Sequence, residues 1–295
     1  MSGKNSGNII AIDNYGTQFL SKTHPPFMRN LKRRYFWVSW VSLSFVFISL
    51  VQSPTENSDD LSTLRTVVID AGHGGKDSGA KSKYGLEKDF ALDIALRFGK
   101  KIEKKFPSIH VIYTRKDDSF IPIHERAAIA NKNKANLFIS IHCNANPYSS
   151  SVHGTETYVM GLHKSTDNLE VAKQENRVVL LEENYRKSYK GYNPNSPIAH
   201  IMLANYQSSF IQQSISFASK VEKHSKKNGN ISLGVKQAGF LVIWETTMPS
   251  VLFESGYLTN DKDGRLLAST EGRERMAQIL LAAFQEYKAE VELSK

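Results

Sequence analysis

From residue 64 onward, short runs of β-branched residues alternate with stretches of helical period. Val67, Val68 and Ile69 form an apolar run closed by Gly72, Gly74 and Gly75, the pattern of a buried strand ending in a tight turn. Phe90, Ile94, Phe98 and Ile102 recur every four residues with lysines opposite, which predicts a helix that Pro107 ends. Ile109–Tyr113 reads as a strand, His124–Lys134 as a helix, Leu137–Ile141 as a buried strand ending in His142, and Thr155–Val159 as an alternating strand. Between His163 and Ser232 the rhythm breaks. Val171–Glu183 predicts one helix there, and Leu203, Tyr206, Phe210, Phe217 and Val221 mark another, with the turn-rich YKGYNPNSP between them. Strands resume at Gly239–Trp244 and Ser250–Phe253, the latter ending in Glu254, and Glu271–Val291 closes the chain as an amphipathic helix. This order predicts an α/β fold, a three-layer sandwich around a mostly parallel mixed sheet, with an inserted helical segment at 163–232.

The pattern before residue 64 is of another kind. Residues 1–34 are polar and basic, and an apolar run from Tyr35 to Val51 follows Arg29, Lys32, Arg33 and Arg34. That run is short for a membrane span of about twenty residues, and with its basic flank it suits a signal peptide or signal anchor over 35–53. If uncleaved, residues 35–51 would contact the membrane; Met28 begins a more ordinary signal sequence than Met1. Residues 54–63 form a polar linker, and 64–292 a folded domain. Of the formal charge of +9, residues 1–53 carry six basic groups against Asp13, so only a mild surplus remains in the domain. With no basic stripe or set of stacking aromatics there, nucleic-acid binding is excluded as a leading reading. Cys143 stands alone, which rules out an internal disulfide and any cysteine-based zinc cluster.

The glycines after the first strand match neither GxxxxGK[ST] nor GxGxxG, so they do not form a phosphate cradle. They wrap the backbone around His73, flanked by Asp70 and Asp77, at a strand end where α/β enzymes place their chemistry. His142 and Glu254 also follow buried strands, and the C-terminal ends of parallel strands converge on one edge. Glu87 opens the first helix above that edge. Two histidines and a carboxylate around an open position are the ligand set of hydrolytic zinc sites, and a second carboxylate can move protons. Glu254 follows VLF, where an unpaired charge would be costly away from a metal. His124, His153 and His200 read as surface or packing histidines, and Cys143 as a small apolar neighbour of a ligand.

In order along residues 65–290, VVIDAGHGGKDSGA, GLEKD, SIHCNAN, GTETYV and GVKQAGFLVIWETTMPSVLFESGYLTN resemble the motifs of the zinc-dependent N-acetylmuramoyl-L-alanine amidases, the amidase-3 family of bacterial cell-wall hydrolases. The resemblance implies zinc held by His73, Glu87 and His142, with Glu254 as the catalytic proton carrier. It implies hydrolysis of the amide between N-acetylmuramic acid and L-alanine in peptidoglycan, in the periplasm or cell envelope, during wall remodelling and daughter-cell separation. Cys143 departs from the family pattern where a small residue is usual, and Tyr257 where phenylalanine is. Glu156, in GTETY, is expected to support the site from behind. Two other readings share the chemistry or the fold: a zinc peptidase acting within the stem peptide, and a non-catalytic wall-binding protein. The latter predicts loss of a ligand or of Glu254, and all four residues are present.

In some members of that family an inserted helix covers the zinc until an activator protein displaces it. Residues 163–232 lie where that insertion lies, and AKQENRVVLLEENY resembles its first helix. Glu175, Glu182 and Glu183 are the carboxylates that could plug the metal. The competing expectation is that the segment only lengthens the substrate groove, or that its acids are a solvated helix face.

Overall fold

The apolar run at Val67–Ile69 belongs to strand β1 (Thr66–Ala71), buried on both faces as a central parallel strand must be. The structure, a computed structural model, describes residues 63–205 and 209–293; the expectations for 1–34, 35–53 and most of the 54–63 linker lie outside them. A small hairpin, β2 (Lys81–Ser82) and β3 (Gly85–Leu86), leads into helix α1 (Glu87–Lys105), which buries Phe90, Ile94, Phe98 and Ile102 as their spacing demands. Strand β4 (His110–Tyr113), helix α2 (Ile123–Lys132) and strands β5 (Leu137–Asn144) and β6 (Thr155–Met160) follow. Next come α3 (Thr166–Asn176), a 3-10 turn over Arg177–Leu181, the single turn α4 (Tyr185–Ser188), α5 (Pro197–Ala204) and α6 (Ile211–Lys227). Strand β7 (Ser232–Ala238), a 3-10 turn at Leu241–Ile243, strand β8 (Ser250–Tyr257) and helices α7 (Asp261–Ala268) and α8 (Thr270–Leu293) complete the order.

Six strands form one sheet in the order β4-β1-β5-β8-β6-β7, parallel at every pairing except β6 with β8. Helices α1, α6 and α8 cover one face, with Phe98, Phe217 and Phe284 fully buried against Ile69, Ile139 and Phe253. The other face carries α2, the α3–α5 segment and Phe240–Ile243, packed on Val68, Phe138 and Leu252. This is the expected three-layer α/β sandwich. The chain leaves β1 toward β4 on one side and returns to β5 on the other, so a crevice opens at the carboxyl ends of β1 and β5.

Where the local pattern misleads, the tertiary fold supplies the reason. Gly239–Trp244 is not a strand. The sheet's last strand is β7, whose half-exposed SLGVKQA carries the mixed pattern of an edge, while Phe240–Ile243 is a 3-10 turn buried on all sides. The helix expected at Val171–Glu183 starts earlier, capped by Ser165, and ends at Asn176. There the Asn176 side chain donates to Gly239 O at 2.8 Å and accepts from Leu241 N at 2.9 Å, and the chain tightens into the 3-10 turn. The single helix drawn through Leu203 and Val221 is two helices, and Tyr206 lies outside the described residues. Leu203 packs on the α2 face and Phe217 and Val221 on the opposite one, so no straight helix could serve both. Consequently only the part of 163–232 up to Asn205 lies on the α2 face; α6 is part of the sandwich itself.

Candidate metal centre

The loop after β1 is shaped by what it must approach. A Cβ on Gly72 would lie 2.5 Å from the His142 ring, and one on Gly79, where φ is +59°, would lie 2.5 Å from Glu87 Oε2 and 2.6 Å from the His73 ring. Here glycine is required for the close approach of backbone to side chain. His73 itself takes φ 60°, a strained conformation for a non-glycine residue. Two buried arginines hold it there. Arg115 donates to Ala71 O at 2.9 Å and Gly72 O at 2.7 Å, and Arg126 to Ala71 O at 2.7 Å and His73 O at 2.8 Å.

His73, Glu87, His142 and Glu175 meet in this crevice, all buried, with one donor atom from each within 4.8 Å of the others. His73 Nε2 stands 3.0 Å from Glu87 Oε1 and 3.2 Å from Glu175 Oε2; His142 Nδ1 stands 3.1 Å and 2.9 Å from the same two oxygens. Metal bonds of 2.0–2.1 Å in a tetrahedral shell put neighbouring donors roughly 3.3 Å apart, close to these four gaps. His73 Nε2 and Glu175 Oε2 are buried with no hydrogen-bond partner, a costly state unless a cation takes both lone pairs. The outer ring nitrogens are engaged. His73 Nδ1 donates to Asp77 Oδ2 at 2.7 Å, and His142 Nε2 to Ser140 Oγ at 3.1 Å, whose own proton goes to Asp70 Oδ2. With the outer nitrogens so engaged, each imidazole keeps its inward nitrogen for a metal, which would displace the proton there, as at metal-binding histidines.

Burial works against charge on both rings, yet the Glu87 and Glu175 carboxylates raise His73 well above the ordinary histidine value and His142 to about 9. Burial likewise opposes charge on Glu87, and the two histidines nonetheless hold it well below the usual carboxylate range. Two carboxylates facing two imidazoles make a pocket of negative charge that a divalent cation would balance. Glu87 is also fixed from behind, as its oxygens accept from Ala80 N at 2.7 Å and Cys143 N at 2.9 Å.

Glu254 lies beside this group. It does not end its strand as expected: β8 continues to Tyr257, with Glu254 in register with His142 on β5 and with Glu156 on β6. His142 likewise sits within β5. Glu254 is fully buried, and neither of its oxygens has a hydrogen-bond partner. Burial first, then the Glu175, Glu87 and Glu156 carboxylates, push its pKa well above the carboxylate norm. Glu156 accepts from Asn144 Nδ2 at 3.1 Å and Tyr158 OH at 3.0 Å, and pairs with Lys236. Tyr257 donates its hydroxyl to Glu156, which gives the departure from phenylalanine a structural use. Cys143 is buried, and burial followed by the Glu87 charge pushes its thiol up, so it is no thiolate nucleophile.

Of the three insertion carboxylates only Glu175 joins the group. Glu182 accepts from Ile123 N at 2.9 Å and from Tyr189 OH at 2.6 Å, and Glu183 is exposed. His200 packs between Tyr192 OH and Pro194 O, His124 faces Glu182, and His153 bonds Ser151 O, each away from the centre. Sequence reasoning missed Ser140, Arg115 and Arg126. Ser140 was within reach, since it lies two residues before His142 and so on the same strand face.

The likeness in motifs extends over most of the folded domain. A model of the N-acetylmuramoyl-L-alanine amidase family, Amidase_3, matches residues 67–286. N-acetylmuramoyl-L-alanine amidase AmiC of Escherichia coli O6:H1 is 35% identical over 230 residues, covering 76% of this chain and 53% of AmiC. The chain thus spans about half the length of that relative. AmiA of Escherichia coli is 30% identical over 219 residues, 72% of either chain. Among solved structures, the catalytic domain of CwlV, an N-acetylmuramoyl-L-alanine amidase from Bacillus (Paenibacillus) polymyxa, matches with a TM-score of 0.55 at 34% identity, over 76% of this chain and 97% of that one.

Proposed function

The chain belongs to the family of N-acetylmuramoyl-L-alanine amidases, and we propose that it is a zinc-dependent hydrolase cutting the amide between N-acetylmuramic acid and L-alanine in peptidoglycan. The convergence of His73 Nε2, His142 Nδ1 and Glu87 Oε1 on one point, with the unpartnered Glu254 carboxylate beside it, carries this reading. His73, Glu87 and His142 would hold the zinc. Once bound, zinc supplies a Lewis acid that polarises the scissile carbonyl and acidifies water at the site. Glu254 takes a proton from the attacking water and returns it to the leaving amine of L-alanine. Asp77 holds the His73 ring in orientation.

Glu175 occupies the remaining side of the donor group, and we read it as a plug: residues 163–205 form a cover that must move before substrate enters. A partner protein that draws the cover away would serve as activator. On this reading the chain is exported to the periplasm or envelope, directed by 35–53 and held at the membrane if 35–51 is retained. There it serves wall remodelling and daughter-cell separation. Among the described residues no helix is long and apolar enough to cross a membrane, and 35–51 lies outside them.

Mass spectrometry of muropeptides released from purified peptidoglycan tests the reaction. The expected products are free stem peptides beginning with L-alanine, lost on chelation and restored by zinc. Shortened stems still joined to muramic acid would make the chain a peptidase. Binding without release, by wild type and by Glu175→Ala alike, would make it a wall-binding protein.

A further inference from the structure

Behind the metal-facing atoms runs a polar row that the proposed reaction leaves unused. Asp70 on β1 and Ser140 on β5 are register partners, and His142 stands two residues further along the same face of β5. Ser140 Oγ donates to Asp70 Oδ2 at 2.6 Å and accepts from His142 Nε2 at 3.1 Å. Asp70 Oδ1 accepts from Thr114 Oγ1 at 2.6 Å and from Arg126 Nη1 at 2.9 Å. The Nη2 of the same guanidinium donates to the His73 carbonyl at 2.8 Å. Asp70, Ser140 and Arg126 are all at most 3% exposed. His73, by contrast, binds its carboxylate directly, and that partner, Asp77, is 13% exposed.

We propose that Asp70, acting through Ser140 and balanced by Arg126, is the positioning residue that sets the His142 ring for the metal. With Nε2 committed as donor to Ser140, Nδ1 is the nitrogen left for the metal. The charge at the end of the relay strengthens both hydrogen bonds in it. Arg126 makes that buried charge tolerable and also ties down the His73 backbone. One ion pair therefore registers two histidines, one in the loop after β1 and one on β5. A fixed pair of ligands binds metal more tightly than a pair that must be ordered on binding.

The inference rests on the zinc reading above and is tested on the full chain by competition for Zn2+ against a chromophoric chelator. Ser140→Ala removes the relay but leaves the Asp70–Arg126 pair intact, and should weaken zinc binding by roughly 10–100-fold. Asp70→Asn should do the same, and the double variant should lose little beyond the larger single loss, because both break one relay. Thr114→Val removes a buried hydrogen bond from the far oxygen of Asp70. It should lower the melting temperature of the metal-free protein while leaving zinc affinity within about threefold of wild type. The visible spectrum of the Co2+ form should change with Ser140→Ala and not with Thr114→Val. Equal zinc affinity in wild type and Ser140→Ala overturns the proposal, and so does an equal loss in Thr114→Val. If Asp70→Asn does not fold, Ser140→Ala decides alone. A wild-type chain that binds no zinc removes the metal reading itself, a separate outcome.

Discussion

At the scale of single residues, the separation between holding a metal and moving a proton is the sharpest consequence of the geometry. Glu87 faces both histidine nitrogens, whereas Glu254 has neither oxygen engaged. Glu254→Gln should keep zinc at wild-type affinity and reduce turnover by about 10²–10⁴-fold, the usual worth of a positioned acid–base group. Glu87→Gln should lose the metal. Zinc content measured alongside kcat checks both, and zinc loss in Glu254→Gln would mean that ligand and base are exchanged. Gly79→Ala tests the loop: at φ +59° a Cβ would stand 2.5 Å from Glu87 Oε2 and 2.6 Å from the His73 ring, well inside van der Waals contact. The left-handed conformation alone costs an alanine roughly 1–2 kcal/mol. The variant should therefore be less stable in urea and bind zinc more weakly. His73, Glu87 and His142 were legible because glycines, a helix start and the end of an apolar run each mark a residue locally. Glu175 was legible only as one of three acids, since nothing in a helical pattern says which turn faces a site formed by strands far away in sequence.

At the scale of elements, the cover is held at more than the plug. Glu182 accepts from Ile123 N, the first amide of α2, so a carboxylate of the cover sits at that helix's positive end. Tyr189 OH donates to the same carboxylate, and Lys76 Nζ donates to Leu181 O at 2.6 Å. Glu175→Ala should raise amidase turnover without any partner, and an unchanged rate at full zinc occupancy would remove the plug. Glu182→Ala should speed amide hydrogen exchange across α3 and the 3-10 turn that follows while leaving β1 and β5 protected; uniform protection would show that the cover is anchored elsewhere. The element boundaries explain why a broad deletion is the wrong instrument. Removing 163–232 would take α6 with it, stripping the fully buried Phe217 and Val221 from the core at roughly 1.5–3 kcal/mol each. That boundary was invisible in the sequence because Leu203 and Phe217 obey one helical spacing while serving opposite faces. The same blindness put a strand at Gly239–Trp244: a run of apolar residues reads alike as a buried strand or a buried turn.

At the scale of the whole molecule, the two strands that extend the sheet beyond β8 are joined to α6 by one buried acid. Thr155 and Thr157 on β6 and Ser232 on β7 donate hydroxyls to Glu222 on α6, which is 5% exposed. Burial raises its pKa above the ordinary glutamate value, against the pull of those three hydroxyls. The α/β class follows from alternation in the sequence. This junction does not, because a glutamate one turn after Ala218 reads as a solvated face until β6 and β7 are known to lie beneath it. Its pH signature follows from linkage. A carboxyl whose folded pKa is raised binds more protons in the native state than in the unfolded one, so its contribution is lost as pH climbs from the unfolded value through the folded one. The lowered carboxyls that link α8 to α1 and α6, Glu274 beside Lys101 and Glu286 beside Lys223, work in the opposite sense: what they contribute is lost as pH falls. Stability should thus decline on both sides of a mildly acid optimum. Glu222→Gln keeps the shape and an acceptor but cannot ionise, so the alkaline decline, to which Glu254, His73 and His142 also contribute in the metal-free chain, should become shallower by at most about 1.4 kcal/mol per pH unit within the window while the acid side is unchanged. Urea unfolding of the metal-free chain from pH 4 to 8 measures this. An alkaline slope as steep in Glu222→Gln as in the wild type would leave the junction with a packing role alone.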